Sequence, residues 1–377
     1  MPVAEIVKTT PIQRSDRVEQ IETMFDLPRS DRFERRWTID LPLEDRDWRI
    51  GLIVGPSGSG KSTLVRELFA DAVMNEFAWP AHRSLVDGFP EHLRLDEITR
   101  LLARVGLGSP PSWRQPFDTL STGERFRANL ARALASDPER LVVDEFTSNL
   151  DRRVARYASS AIAKTIRERR TRLVAATCHD DVSAWLCPDW IVDMARLSFR
   201  WRSLRRRPAI ELEIHRCDRG EWKRFAPHHY LSGTLNPSAR CFLGVVEESA
   251  AAFCAVVHQP HPRRSGWREH RTVCLPDFQG VGIGTALSDM IASLYHATGK
   301  PFRSVTAHPA LIDHRVRSND WRLRRRASRT QQPKLASLAR SWSGVRRTAA
   351  FEYVGAARPL EAKQLGIVRG EAKVVSR

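Results

Sequence analysis

The stretch RIGLIVGPSGSGKSTLVRELF, residues 49–69, decides the fold of the first half of the chain. An apolar run suited to a buried strand leads into G-x-x-x-x-G-K-[ST]. Amphipathic spacing then predicts a helix from about Gly60 to Glu76. Strand, glycine loop and helix in that order make a phosphate-binding loop: the glycines let successive backbone N–H groups face an anion, and the helix N-terminus adds partial positive charge. Gly55, Pro56, Ser57, Gly58, Ser59, Gly60, Lys61, Ser62 and Thr63 are the candidate contacts. Lys61 is placed to reach the β- and γ-phosphates, and Ser62 to ligate Mg²⁺.

Working outward, LSTGE (120–124) opens a helical segment running to about Ser136. RLVVDEFTSNLD (140–151) is an apolar strand ending in two acids. DRRVARYASSAIAKTIRERR is helical, and RLVAATCH (172–179) is a buried strand ending in a histidine. Alternating strands and helices predict an α/β fold with a mainly parallel sheet. Two acids at a strand's carboxyl end can serve one metal and one water.

This succession resembles the ABC-type ATPases over about residues 20–200. The resemblance implies ATP and Mg²⁺ as ligands, Mg²⁺ held by Ser62 and Asp144, a water polarised by Glu145, and His179 on the γ-phosphate. It implies that Leu120, Ser121 and Gly123 complete the site of a partner subunit, hence an ATP-driven homodimer. Three positions depart from the family pattern: Thr122, Glu124 and Phe146 stand where glycine, another residue and proline are usual. No glutamine occupies the usual loop, where Asp87 is the nearest polar candidate, and Phe33 or Phe25 is the candidate to stack on adenine. In transporter members the region before the signature is a longer arm that docks on membrane subunits, so members acting on DNA or RNA are the better comparison.

The charge is distributed unevenly. Residues 1–200 balance 30 Lys+Arg against 30 Asp+Glu, whereas residues 201–377 carry 31 against 14 and so hold the whole net charge of +17. That asymmetry points to a polyanionic partner: nucleic acid first, with a generic solvated basic face or a patch for one anionic cofactor as the alternatives. AIELEIHR, RCFLGVVE, AAFCAVVH and HRTVCLP follow in quick succession and predict an α+β domain with a mixed, mostly antiparallel sheet. RTVCLPDFQGVGIGTALSDMIASLYHATG (271–299) then reads as strand, glycine turn and helix. Three readings stand for it: an acyl-CoA loop, a dinucleotide fingerprint, or a plain glycine turn.

QGVGIG resembles the [RQ]-x-x-G-x-[GA] loop of the GNAT acyltransferases, which implies that Gln279, Gly280, Val281, Gly282, Ile283 and Gly284 grip the pyrophosphate of an acyl-CoA. LPDFQGVGIG, TAHP, the Arg/Trp run 314–329 and TAAFEYVG together resemble the phage DNA-modification (Mom-type) branch, which implies transfer of an acyl-derived group to an exocyclic base amine in DNA and so a nucleic-acid partner, DNA ahead of RNA. Candidate acid–base groups are His308 and Ser318, with His228, His229, Tyr230, His314 and Tyr353 beside them. Trp321 among arginines is a candidate to stack an extruded base. The segment 345–355 is expected to supply the final strand pair.

With 42% hydrophobic residues the chain has apolar material for buried cores, which excludes wholesale disorder. No run approaches a membrane span and the N-terminus lacks a signal-peptide core, so no membrane partner is expected. Six scattered cysteines suit reduced thiols in a cytoplasm. The expected organisation is an ATP-binding domain over 1–200, a basic linker over 201–207, a GNAT-like domain over 208–356 and a mobile tail over 357–377. The function expected is ATP hydrolysis coupled to acyl transfer onto nucleic acid. The alternatives are an ATP-gated DNA-binding factor with an inactive second domain, and an N-acetyltransferase for protein or small-molecule amines.

Overall fold

The structure, a computed structural model, describes residues 3–74, 77–202, 208–231, 234–262, 264–329 and 347–368. The compact units do not follow chain order. One comprises Met1–Asn75, Pro138–Asn149 and Ile166–Arg207; the other comprises Glu76–Asp137, Leu150–Thr165 and Pro208–Arg377.

In the first unit, β1 (Val3–Pro11) and β2 (Arg32–Asp40) form an antiparallel pair. Five further strands are β3 (Ile50–Val54), β4 (Arg140–Val143), β5 (Arg172–Thr177), β6 (Trp190–Asp193) and β7 (Ser198–Trp201), in sheet order β4-β5-β3-β6-β7. All neighbours are parallel except β6 and β7. Every residue of β3 is buried, as expected of a central parallel strand covered on both faces. Leu64, Val65 and Phe69 of the helix Lys61–Phe69 pack with Trp37, Val142, Val174, Ala176 and Trp190 in one core. That helix is shorter than its periodicity predicts. A 3₁₀ turn covers Ala70–Ala72, and Val73 is extended and bridges to Val142, because a ladder partner on β4 competes with another helical turn.

In the second unit the helices Leu95–Arg104, Pro110–Trp113 and Thr122–Ala135 accompany a seven-stranded sheet. Its strands are β8 (Glu213–Cys217), β9 (Arg240–Val246), β10 (Ser249–Gln259), β11 (Gly266–Cys274), β12 (Phe302–Thr306), β13 (Trp321–Arg329) and β14 (Arg347–Tyr353). The order is β13-β14-β12-β11-β10-β9-β8. Only β11 and β12 are parallel neighbours, and they pair over just Trp267↔Phe302 and Arg268↔Arg303 before separating. The register between β10 and β11 passes from Ala255↔Arg271 to Val256↔Glu269, which leaves His270 as the bulged residue. The helix Ile283–His296 buries Leu287, Ile291 and Tyr295 in a core with Cys254, Phe302 and Phe351. Phe253, Ala255 and Val257 alternate with that set along β10 and form a second core with Trp222 and Phe225 on the opposite face.

Three expectations are corrected here. The partner of the closing strand β14 is β13, the arginine-rich run itself, so 345–355 supplies one strand rather than a pair. Part of the expected mobile tail is packed: Pro359–Gln364 is helical, and Ala362 and Ile367 are buried in the sheet's core; residues 369–377 lie outside the described residues. The expected basic linker starts inside strand β7, whose last residue is Trp201, and residues 203–207 of it lie outside the described residues. Among the described residues, no helix is long and apolar enough to cross a membrane.

Candidate functional site

In the first unit the sheet brings the expected nucleotide-binding groups to one edge. Val54 is level with Thr177 of β5 and Asp193 of β6, and Val143 of β4 is level with Ala175 of β5. The phosphate loop, Asp144–Glu145 and Cys178–His179 therefore all leave the sheet at its carboxyl edge, where open α/β sheets bind ligands. Asp144 accepts from the Glu145 N–H at 2.9 Å, and Glu145 takes a left-handed backbone conformation, φ 50°. Phe146, fully buried, anchors the turn as its N–H donates to Ala176 O at 2.7 Å. His179 N–H donates to Thr177 Oγ1 at 3.2 Å.

The phosphate loop is braced from β2. Trp37 Nε1 donates to Ser59 O at 2.9 Å, and Arg35 donates to Gly58 O at 2.7 Å while its guanidinium lies over the Trp37 ring. Sequence reasoning missed these two supports, since RFERRW gives no signal beyond its charge and aromaticity. Lys61 Nζ donates to the carbonyls of Gly55 and Pro56, each at 2.8 Å. The Ser59 hydroxyl is buried without a partner, and Pro56, Ser57 and Gly58 are exposed. An orphaned hydroxyl, an ammonium held only by its own loop and exposed backbone fit a polyphosphate. Ser62 and Asp144, both half-buried, would hold Mg²⁺.

The signature residues belong to the second unit. Ser121 caps the helix Thr122–Ala135, its Oγ accepting from Glu124 N at 3.3 Å while Glu124 Oε2 accepts from Ser121 N–H at 3.1 Å. Glu124, a departure from the family pattern, thus forms a capping box. Its other oxygen accepts from Ser112 Oγ at 2.7 Å. Gly123 lies against Val154. Asp87 accepts from Ser84 Oγ at 2.6 Å within the turn Leu85–Gly88. Phe25 and Phe33, in the first unit, are 65% and 59% exposed.

The second glycine loop is partly covered. Gln279 Nε2 donates to Cys274 O at 2.8 Å, and its Oε1 accepts from Gly108 N–H at 2.6 Å. Gly280, φ 87°, abuts Gly106 and Ala161 so closely that a Cβ would fall 2.8 Å from Gly106 Cα and 2.6 Å from Ala161 Cβ. Buried Arg127 ties the same region, donating to Pro276 O at 2.9 Å and Gly106 O at 3.3 Å. Gly282, φ 100°, meets only Thr285 Oγ1, at 3.6 Å, so the end of the loop that runs through Val281 and Gly282 into the helix is the open end. Ile283 is buried, and Gly284 N–H donates to the Cys274 thiol. Arg127 was missed because an arginine in RFRANLARAL looks like any solvated helix charge.

The expected acid–base residues have structural partners. His308 Nε2 lies 2.7 Å from Gly108 O, and burial draws its pKa down against that bond. Ser318 follows the helix Pro309–Arg317 and accepts from Asp320 N–H at 3.2 Å. His314 and the Trp321 Nε1 both contact Asp289, at 2.7 and 2.8 Å. Trp321 is 5% exposed and packs beneath Arg315, which corrects its expected role as a stacking platform. Tyr353 donates to Ala356 O at 3.3 Å. The His228 carbonyl accepts from Ser109 Oγ at 3.3 Å, and the His229 ring stacks on Tyr230.

Between β11 and β12, Arg315 donates to Glu269 at 2.7 Å and to Ser304 at 2.5 Å, and Ser288, Ser304 and Thr272 also bond Glu269. Burial pushes the Glu269 carboxyl up, but Arg315 and the three hydroxyls hold it down to about 2.

No family model matches the sequence. A phosphonates import ATP-binding protein of Synechococcus is 29% identical over 176 residues, covering 34% of this chain and 64% of that protein. An aliphatic sulfonates import ATP-binding protein of Frankia alni is 36% identical over 148 residues, covering 34% and 58%. A lipoprotein-releasing system ATP-binding protein of Rhodopseudomonas palustris is 29% identical over 188 residues, covering 38% and 81%. Against the first two, the chain spans about three fifths of the relative's length. The solved structure of cbiO1 from Clostridium perfringens, part of an ABC transporter complex, aligns with TM-score 0.34 at 19% identity, covering 44% of this chain and 78% of that one. Matched to these sequence relatives and carrying the phosphate loop, signature and acidic strand end in order, the chain contains an ABC-type ATPase domain, a nucleotide-binding cassette.

Proposed function

We propose that the chain binds and hydrolyses ATP and uses that cycle to act on nucleic acid. The observation that carries the first part is the convergence of Lys61, Asp144–Glu145 and His179 on one sheet edge. In this reading Lys61 leaves the Gly55 and Pro56 carbonyls for the phosphates. Asp144 and Ser62 would hold Mg²⁺, which would neutralise developing phosphoryl charge. Glu145 orients a water and accepts its proton, and His179 donates a hydrogen bond to the terminal phosphate. Ser121, at the N-terminus of a 14-residue helix, would meet the nucleotide of a second copy. Phosphate release on adding Mg-ATP, with ATP-dependent dimerisation on a sizing column, tests this. Hydrolysis unchanged by Lys61→Ala refutes it.

For the second domain we read a GNAT-like fold. The reading is supported by the strand order, the single parallel pair that parts after two residues, the bulge at His270 and the glycine loop opening the helix Ile283–His296. The reaction would be attack of a base amine on an acyl-CoA thioester: the C–N bond forms, the C–S bond breaks, and the amine proton passes to solvent as the thiolate leaves. A second reading is a nucleic-acid-binding factor without transfer chemistry. It is favoured by the covered Gln279 and Gly280 and by the structural bonds of His308 and Ser318. Calorimetry of the full chain with acyl-CoA, followed by nucleoside mass spectrometry after incubation with ATP and plasmid, separates the two. A mass-shifted base supports transfer, and absence of both acyl-CoA heat and product leaves the binding factor.

A further inference from the structure

The face of the seven-stranded sheet opposite the helix Ile283–His296 is only partly occupied by the second core. Along β10 that core includes Val257, whose ladder partner on β11 is Arg268. From Arg268 the register continues across the sheet to Arg303 on β12, Glu352 on β14 and Arg322 on β13. These residues share a face because each is level with its neighbour. Their flanking positions, Phe302, Phe351 and Tyr353, point the other way into the large core. On the same face Val305 is 46% exposed and Arg322 is exposed, whereas Arg268, Arg303 and Glu352 are half-buried, so the row opens to solvent toward β13 and the carboxyl end of β12.

The charge on that face is strongly one-signed. Glu352 is bonded by Arg324 at 2.9 Å and lies 3.6 Å from Arg303. Arg325, level with Ala350, is spread by bonds to Ser328 and Thr348. Among the described residues no carboxylate pairs with Arg268, Arg322 or Arg325. Strands lie ~4.8 Å apart, so the three steps from Arg268 to Arg322 span roughly 14 Å. A duplex strand advances ~3.4 Å per phosphate, so such a row spans about four phosphates rather than one. Guanidinium groups suit phosphodiester oxygens because they keep their charge and offer several donors.

We propose that this open face of β11, β12, β14 and β13 is a docking surface for the phosphodiester backbone of a nucleic-acid duplex, with Arg303 and Arg322 as contacts and Glu352 as the group that spaces them. The inference rests on the nucleic-acid reading above and locates it. It places the partner on the sheet face opposite the helix Ile283–His296.

Fluorescence anisotropy of the full chain with a labelled DNA duplex, titrated between about 50 and 200 mM salt, tests it. Arg303→Ala and Arg322→Ala should each lower the slope of log K against log salt by about 0.9, with ATP hydrolysis unchanged. Glu352→Gln should bind more tightly than the unaltered chain, a gain that a folding defect cannot imitate. If the unaltered chain binds but neither arginine variant changes the slope and Glu352→Gln gives no gain, the surface is wrong and the nucleic-acid reading survives. If the unaltered chain binds no duplex at the lowest salt, both fall.

Discussion

Two glycine loops in this chain share a local plan and live in different surroundings. Each follows a strand and opens a helix, Lys61–Phe69 in one case and Ile283–His296 in the other, and each helix is capped by a glycine in left-handed conformation, Gly60 and Gly282. Around the first loop the supports come from below, through Trp37 and Arg35, and Pro56 to Gly58 stay exposed. The second has its leading residues claimed: Gln279 bonds Gly108, and Gly280 lies against Gly106 and Ala161. A glycine pattern reports where backbone can approach something closely. Whether that is a phosphate or another stretch of the same chain is decided by what the fold brings there.

The comparison breaks most directly at the nucleotide edge. Glu145→Gln should lower ATP hydrolysis by about 10²–10⁴-fold while nucleotide binding persists, read by phosphate release and by fluorescent-nucleotide titration. A loss of binding in step with rate would remove Glu145 from the chemistry.

In the second unit, Glu269→Gln leaves the buried Arg315 guanidinium without its counter-charge. The expected loss is about 3–5 kcal/mol in urea unfolding. The same pair fixes a pH dependence. The Glu269 carboxyl sits at about 2 in the fold against an ordinary 4.5, so its stabilisation is complete above about 4.5 and is lost as pH falls from there toward 2. Urea midpoints measured across that window should fall for the unaltered chain and flatten for Glu269→Gln.

A smaller and sharper contrast lies within the second loop. Gly280→Ala combines left-handed strain with collision against Gly106 and Ala161, about 2–5 kcal/mol in all. Gly282→Ala meets only Thr285 Oγ1 and should cost about 1–2 kcal/mol. Equal costs would show that Gly280 is as open as Gly282 and would restore a fully accessible cofactor loop.

The parallel sheet and its edge were legible because parallel strands are continuous apolar runs and the acids, histidine and glycine loop fall at their ends in chain order. RLVVDEF and RLVAATCH announced β4 and β5 together with the residues that follow them. The antiparallel half was legible as strands but not in its pairing: nothing in WRLRRRASR distinguishes a solvated basic run from β13, the partner of β14. The burial of Trp321 beneath Arg315 was likewise hidden, since arginine beside an aromatic reads as surface when the carboxylate that neutralises it, Glu269, lies 46 positions away.

By itself the sequence determined the phosphate loop, the acids at its side and the placement of all the excess positive charge after residue 200, because local geometry and covalent order suffice for those features. The tertiary structure alone decided that Gly106 and Gly108 sit against the second loop, that Glu269 neutralises Arg315, and that arginines on three strands line up on one open face. Those depend on which distant segments are brought within a few ångströms, and register and packing set that, not composition.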